Sequence, residues 1–124
     1  MIGYVTVGSN DLPRSAKFYD AIAAEMGVGR MMEFDTFIAW GKAGGAPGIA
    51  ATKAFDGEAA TVGNGVMVAL QADSEEQVQR LYDIALANGG SDEGAPGARG
   101  DGFYAGYFRD PDGNKLNAFL MTGG

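Results

Sequence analysis

The 124-residue chain contains no cysteine and no histidine. Without thiols it has no disulfide, no thiolate nucleophile and no sulfur-ligated metal site, which fits a reducing compartment. Without imidazole it lacks the commonest general base near neutral pH and the commonest metal ligand. Basic residues are few: nine Lys and Arg stand against sixteen Asp and Glu, a formal net charge of -7. They are also scattered, so nucleic acid is not an expected partner, and a cationic or neutral ligand suits the overall charge better than a polyanion, although the field inside a cleft can oppose the global sign. No apolar run approaches the roughly 18 residues that span a bilayer, and no basic-then-apolar leader opens the chain, so the expectation is a cytoplasmic protein with no membrane partner.

What is present is a composition that folds, with 46% hydrophobic and 20% charged residues, and 21 glycines that suggest many turns or close backbone approaches. The length suits one domain, residues 1–124. MIGYVTVGSN alternates, with Val5 and Val7 on one face and Ile2, Tyr4 and Thr6 on the other, which predicts a strand. Asn10 or Asp11 can then cap a helix over about 12–26. Pro13 suits its first turn, Phe18, Tyr19, Ile22, Ala23 and Met26 form its apolar face, and Gly27 ends it. RMMEF, TFIAWG and PGIAATKAF are short strand candidates separated by turn residues.

After a connection at about 55–64 the same order begins again. VMVALQA alternates Val66, Val68 and Leu70 against Met67, Ala69 and Gln71, and Ser74 with Gln77 forms a possible capping box. Val78, Leu81, Tyr82 and Ala85 mark a second amphipathic helix closed by Asn88, Gly89 and Gly90. A short edge strand near 91–95 precedes GFYAGYFRD and NKLNAFLM, joined by the turn DPDG. The pattern is βαβββ used twice, over about 1–56 and 65–122, an α+β fold in which helices cover one face of a mixed sheet through Val5, Val7, Val66, Val68 and Leu70. The other face, with Tyr4, Met67 and Asn117, then lines an open cup.

YVTVGSNDLPRSAKFYD, VMVALQADSEEQVQRLYDIALANGG and FYAGYFRDPDGNKLNAFL, taken in this order, resemble the vicinal oxygen chelate superfamily, which includes glyoxalase I, bleomycin-resistance proteins and extradiol dioxygenases. The resemblance implies paired βαβββ modules in an open, cupped sheet, commonly assembled as homodimers. In the family's enzymes, His, Gln or Glu side chains hold one divalent metal that acts as a Lewis acid. Carried over one at a time, the ligand positions fall on Tyr4, near Ala50, on Met67 and on Asn117. A phenol, a methyl group, a thioether and a neutral amide offer a hard cation neither an anionic oxygen nor an imidazole. The expectation is therefore no metal and no cofactor, and loss of the metal-dependent glyoxalase, dioxygenase and fosfomycin-type transferase chemistries.

The remaining candidates stay open between two readings. Asn117 either recognises a ligand or is a satisfied polar residue inside the cup, bridged to Tyr4 through water. Tyr4 could also move a proton if its pKa were lowered. Met67 is an adaptable pocket wall or core filler. Phe37 and Trp40 fall on opposite faces of one strand, with Trp40 favoured as a stacking surface, and Tyr104 and Tyr107 raise the same question. Arg99, in the glycine-rich GAPGARGDG, either closes over an anionic ligand or is a solvated loop charge. The RGD at 99–101 carries little information in three letters. DPDGN lacks a calcium loop's sixth-position glycine and twelfth-position glutamate, where Lys115 and Met121 stand, so it is a turn.

Three functions are compatible with these residues. One is a metal-free small-molecule-binding cup like that of the bleomycin-resistance branch. The others are a glyoxalase-like lyase or isomerase with metal-independent chemistry, and a non-catalytic dimerisation module.

Overall fold

A computed structural model describes residues 1–45 and 47–122. Strand β1 (Tyr4–Gly8) leads into helix α1 (Leu12–Glu25), followed by β2 (Gly29–Phe34), β3 (Phe37–Gly41) and β4 (Gly48–Thr52). The order then repeats as β5 (Val68–Gln71), α2 (Glu75–Ala87), β6 (Ser91–Ala98), β7 (Phe103–Arg109) and β8 (Lys115–Met121). Each half makes its own four-stranded mixed sheet, ordered β1-β4-β3-β2 and β5-β8-β7-β6, with the first strand parallel to the last and the other pairs antiparallel.

The helices begin where their caps dictate. The Asp11 carboxylate accepts from the Arg14 N–H at the head of α1, and Ser74 Oγ accepts from the Gln77 N–H at the head of α2. Gln77 reaches back to the N–H of Asp73, one residue before the cap, at 2.7 Å, so the box closes on a different donor from the usual one. Strand β6 runs to Ala98, longer than its sequence suggests, because β7 continues to pair with it through two register shifts.

One apolar core lies between the helices and the sheets. Val7, Ile38, Trp40 and Ala51 from the first sheet meet Phe18, Tyr19 and Ile22 of α1, and Phe108, Leu116 and Ala118 from the second meet Val78, Leu81 and Ala85 of α2. The two sheets share no ladder; the halves join where α1 packs against α2 and where Phe18 of α1 meets Phe108 of β7. Gly90, beyond α2, shows how closely this seam is packed. A Cβ there would stand 2.5 Å from the Arg109 carbonyl oxygen, 2.7 Å from that of Ala85 and 3.0 Å from the Phe18 ring.

The DPDG turn does more than reverse the chain. Asp110 caps its own turn by accepting from the N–H groups of Asp112 and Asn114, each at 2.9 Å, while Tyr19 of α1 donates to its other oxygen at 2.6 Å. Asp112 accepts from the Asn10 N–H at 2.9 Å, Ser15 Oγ at 2.7 Å and Arg14 Nη2 at 2.9 Å. Asn114 donates to the Gly8 carbonyl at 2.8 Å. The turn thus fastens the second half to the start of α1 in the first. Burial and the neighbouring Asp110 raise the Tyr19 pKa well above its ordinary value, so its hydroxyl remains the donor.

Candidate functional site

Alternation along each strand leaves a face turned away from the helices. On the first sheet it carries Tyr4, Thr6, Ala50, Thr52, Ala39 and Phe37, because Val5, Val7, Ile49, Ala51, Ile38 and Trp40 take the helix side. Tyr4 stands edge-on to Phe37, ring centroids 6.2 Å apart, and is 57% exposed. Ala50 is fully buried at the middle of this face, between Thr6 and Ala39.

Two expected orientations are corrected. Trp40 lies on the helix side, 2% exposed, with Nε1 donating to Asp20 at 2.8 Å and its ring 5.2 Å from that of Tyr19. Asp20 on α1 can bond the indole there, and its pKa is held below the usual carboxylate range by Arg30, against a smaller opposing effect of burial, and by Trp40 itself. Phe37 therefore occupies the open face. Tyr104 also packs against the core, and its hydroxyl accepts from Gln79 Nε2 of α2 at 2.9 Å. Tyr107 takes the open face instead.

On the second sheet Tyr107 pairs with Asn117, and Ala69 lies on the other side of Asn117. Phe103 and Phe119 stack nearby with centroids 5.7 Å apart. Asn117 is 1% exposed, and its Oδ1 is buried with no hydrogen-bond partner among the described residues. Arg99 and Lys115 each bring their charge to 5.5 Å from the centroid of the Tyr107 ring. Lys115 was not singled out by the sequence; its signal is its place two residues before Asn117, on the same strand face.

Tyr4 on β1 and Asn117 on β8 belong to separate sheets, and these two strands make no contact, so one chain does not bring them together. Met67 lies just before β5, 41% exposed, and lines an apolar cavity of about 600 Å³ at the seam between the two halves. That cavity takes in Val5, Tyr19, Ile22, Trp40 and Leu70 but neither Tyr4 nor Asn117.

The divalent metal implied by the resemblance does not fit this donor set. Ala50 has no donor, Met67 offers only a thioether, Tyr4 a neutral phenol and Asn117 one neutral oxygen. Among the described residues no group of three or more Asp or Glu side chains is placed to hold a cation.

The sequence model of the Glyoxalase/Bleomycin resistance protein/Dioxygenase superfamily matches residues 1–118. A glyoxalase/bleomycin resistance protein from Albidiferax ferrireducens T118 is 38% identical, with TM-score 0.89 over 97% of this chain and 98% of that one. A glyoxalase-related enzyme from Fulvimarina pelagi is 23% identical, with TM-score 0.78 over 97% and 87% of the two chains. A glyoxalase/bleomycin resistance protein/dioxygenase family enzyme from Burkholderia phytofirmans PsJN is 18% identical, with TM-score 0.76 over 96% and 97%. Below 25% identity these likenesses speak for the fold alone. No curated protein matches. With a family model covering nearly the whole chain and the repeated βαβββ order in the structure, this chain belongs to the Glyoxalase/Bleomycin resistance protein/Dioxygenase superfamily.

Proposed function

We propose that the protein is a metal-free binder of small molecules, with its cup completed by a second copy of the chain. The observation that carries this reading is the chemistry at the family's ligand positions. Tyr4, Ala50, Met67 and Asn117 have exchanged charged or imidazole donors for shape and neutral polarity, and Asn117 keeps a buried oxygen unused within the chain. A polar group left unpaired in the interior costs about 1–3 kcal/mol, a cost that an incoming donor would relieve.

Dimerisation is supported by what the open faces expose. Tyr4, Met32 at 48% and Phe34 at 62% on the first half, and Met121 at 66% on the second, are apolar surface that a single chain leaves in water. Pairing the first half of one copy with the second half of another would place Tyr4 opposite Asn117 and enclose a cup between them. Cytoplasmic location fits the thiol-free composition, and among the described residues no helix is long and apolar enough to cross a membrane.

Thermal-shift screening against small acids, bases, aromatic compounds and thiol conjugates, with sedimentation to establish the assembly, tests the reading. Stabilisation by at least one class and a dimer are expected. A monomer that no class stabilises would refute it. The lyase alternative is tested by hemithioacetal turnover with and without added metal, expected to be undetectable in both.

A further inference from the structure

We infer that the ligand of the proposed cup is a small organic acid whose apolar body carries a hydroxyl or N–H donor, and that Arg99, Lys115 and Asn117 recognise it. The inference rests on the binding reading above and specifies its chemistry. It also runs against the chain's net charge of -7.

Among the described residues Arg99 has no acidic partner within ion-pair distance, whereas the other four arginines, Arg14, Arg30, Arg80 and Arg109, all do, and Lys115, like Lys17, Lys42 and Lys53, has none either. What distinguishes Arg99 and Lys115 is that they converge on one phenol ring, so their charges stand no further apart than twice their 5.5 Å distance from its centroid. Cation–π attraction to one ring is modest at exposed sites, and two like charges brought together beside it repel. An anion reaching both from the open face would offset that repulsion with attraction to each.

The arginine is placed rather than free. Its Nη2 donates to the Ala95 carbonyl at 2.7 Å, and its backbone N–H donates to the Phe103 carbonyl at 2.7 Å across the β6–β7 hairpin. The guanidinium lies against Gly94 and Gly97, where a Cβ would stand 3.4 Å from Nη2 and 3.1 Å from Nη1 respectively. Glycine at these two positions makes room for it. A guanidinium so held keeps donors for a planar oxyanion.

Asn117 is the second, independent observation. It pairs with Tyr107 across β7 and β8, Lys115 is its neighbour on the same face, and its Oδ1 is buried without a partner. An amide oxygen accepts only, so the group that satisfies it must donate. Its neighbours on that face include Lys115 and Tyr107, side chains that rotate on far faster timescales than the fold opens. Phe119, stacked on Phe103, and the small Ala69 and Ala105 give the face an apolar floor for the ligand's body.

The test is isothermal titration of the intact protein with salicylate, 4-hydroxybenzoate, benzoate and 2-hydroxybenzamide. At least one hydroxybenzoate should bind with Kd of about 1 mM or tighter and about tenfold or more tightly than both benzoate, which lacks the donor, and the uncharged amide. Arg99→Gln with Lys115→Gln should weaken that acid about tenfold, a loss of about 1.4 kcal/mol, and leave the amide unchanged. Asn117→Leu should erase the preference for the hydroxylated acid over benzoate.

Equal binding of acid and amide, or unchanged acid binding in the double variant, overturns the inference while leaving the binding cup standing. Failure of all four probes also overturns it, and the broad thermal-shift screen then decides the cup separately. Circular dichroism of each variant must match the parent, which is expected because Arg99 is exposed and Lys115 is only half-buried.

Discussion

Replacing Asn117 with leucine should make the protein more stable while removing a function. Leucine has the same number of side-chain heavy atoms arranged with the same branching. The substitution removes a buried oxygen that has no partner among the described residues, recovering about 1–3 kcal/mol of desolvation cost. Leucine's greater bulk takes part of this back, since overfilling a packed site costs about 1–3 kcal/mol when neighbours cannot move. Lys115 and Tyr107 can move, so the net expectation is a gain of about 1 kcal/mol. With an unfolding entropy of about 2.1 cal/mol/K per residue over 124 residues, that raises Tm by about 4 °C. Differential scanning calorimetry at one fixed protein concentration is the assay, because a dimer's Tm depends on concentration. A Tm lowered by about 4 °C or more would mean instead that the amide makes a bond the single chain does not contain, and that its oxygen is not left unpaired.

Three further outcomes follow from the seam and the core. Asp112→Ala removes three hydrogen bonds to a carboxylate and should cost about 2–3 kcal/mol in urea denaturation at pH 7. Burial pushes the Asp112 pKa up, but the Asn10 N–H, the Ser15 and Ser9 hydroxyls and Arg14 together hold it below the usual carboxylate range. A lowered folded-state pKa contributes stability that is present above the unfolded value near 4 and lost as pH falls through the folded value; Asp112→Asn should therefore flatten the decline in stability below about pH 4. Gly90→Ala should destabilise by about 2 kcal/mol or more, whereas Gly29→Ala, where a Cβ meets nothing within 4 Å, should change stability by less than about 0.5 kcal/mol in the same assay. Trp40→Phe should lose about 1 kcal/mol with its bond to Asp20 yet leave ligand affinity unchanged by calorimetric titration, because the indole faces the helices.

The order of elements was legible because periodicity and punctuation agree at every step. Pro13 and Asp11 at one helix, Ser74 and Gln77 at the other, and Gly27 and Gly89 beyond their ends say where the chain changes conformation. Faces were harder. Trp40 sits on the helix side because Asp20, twenty residues away, offers its indole a carboxylate, and no local pattern carries that information. Tyr107 could have been placed: a hairpin pairing Arg109 with Lys115 must also pair Tyr107 with Asn117, so once Asn117 is assigned to the open face Tyr107 shares it and Tyr104 does not. The second role of DPDGN was hidden for another reason. Its carboxylates look like ordinary turn formers, and only the docking of the two halves shows that Asp110 and Asp112 bind Tyr19, Asn10, Arg14 and Ser15.

Elemental analysis of protein purified without chelator from metal-replete medium tests most directly whether the family's cation has been given up. About 0.1 equivalent or less of nickel, zinc, iron or manganese per chain is expected, unchanged in Asn117→Leu, because hard divalent ions need anionic oxygen or imidazole. More than about half an equivalent that disappears in Asn117→Leu or Tyr4→Phe would contradict it, since those side chains would then be holding a metal after all.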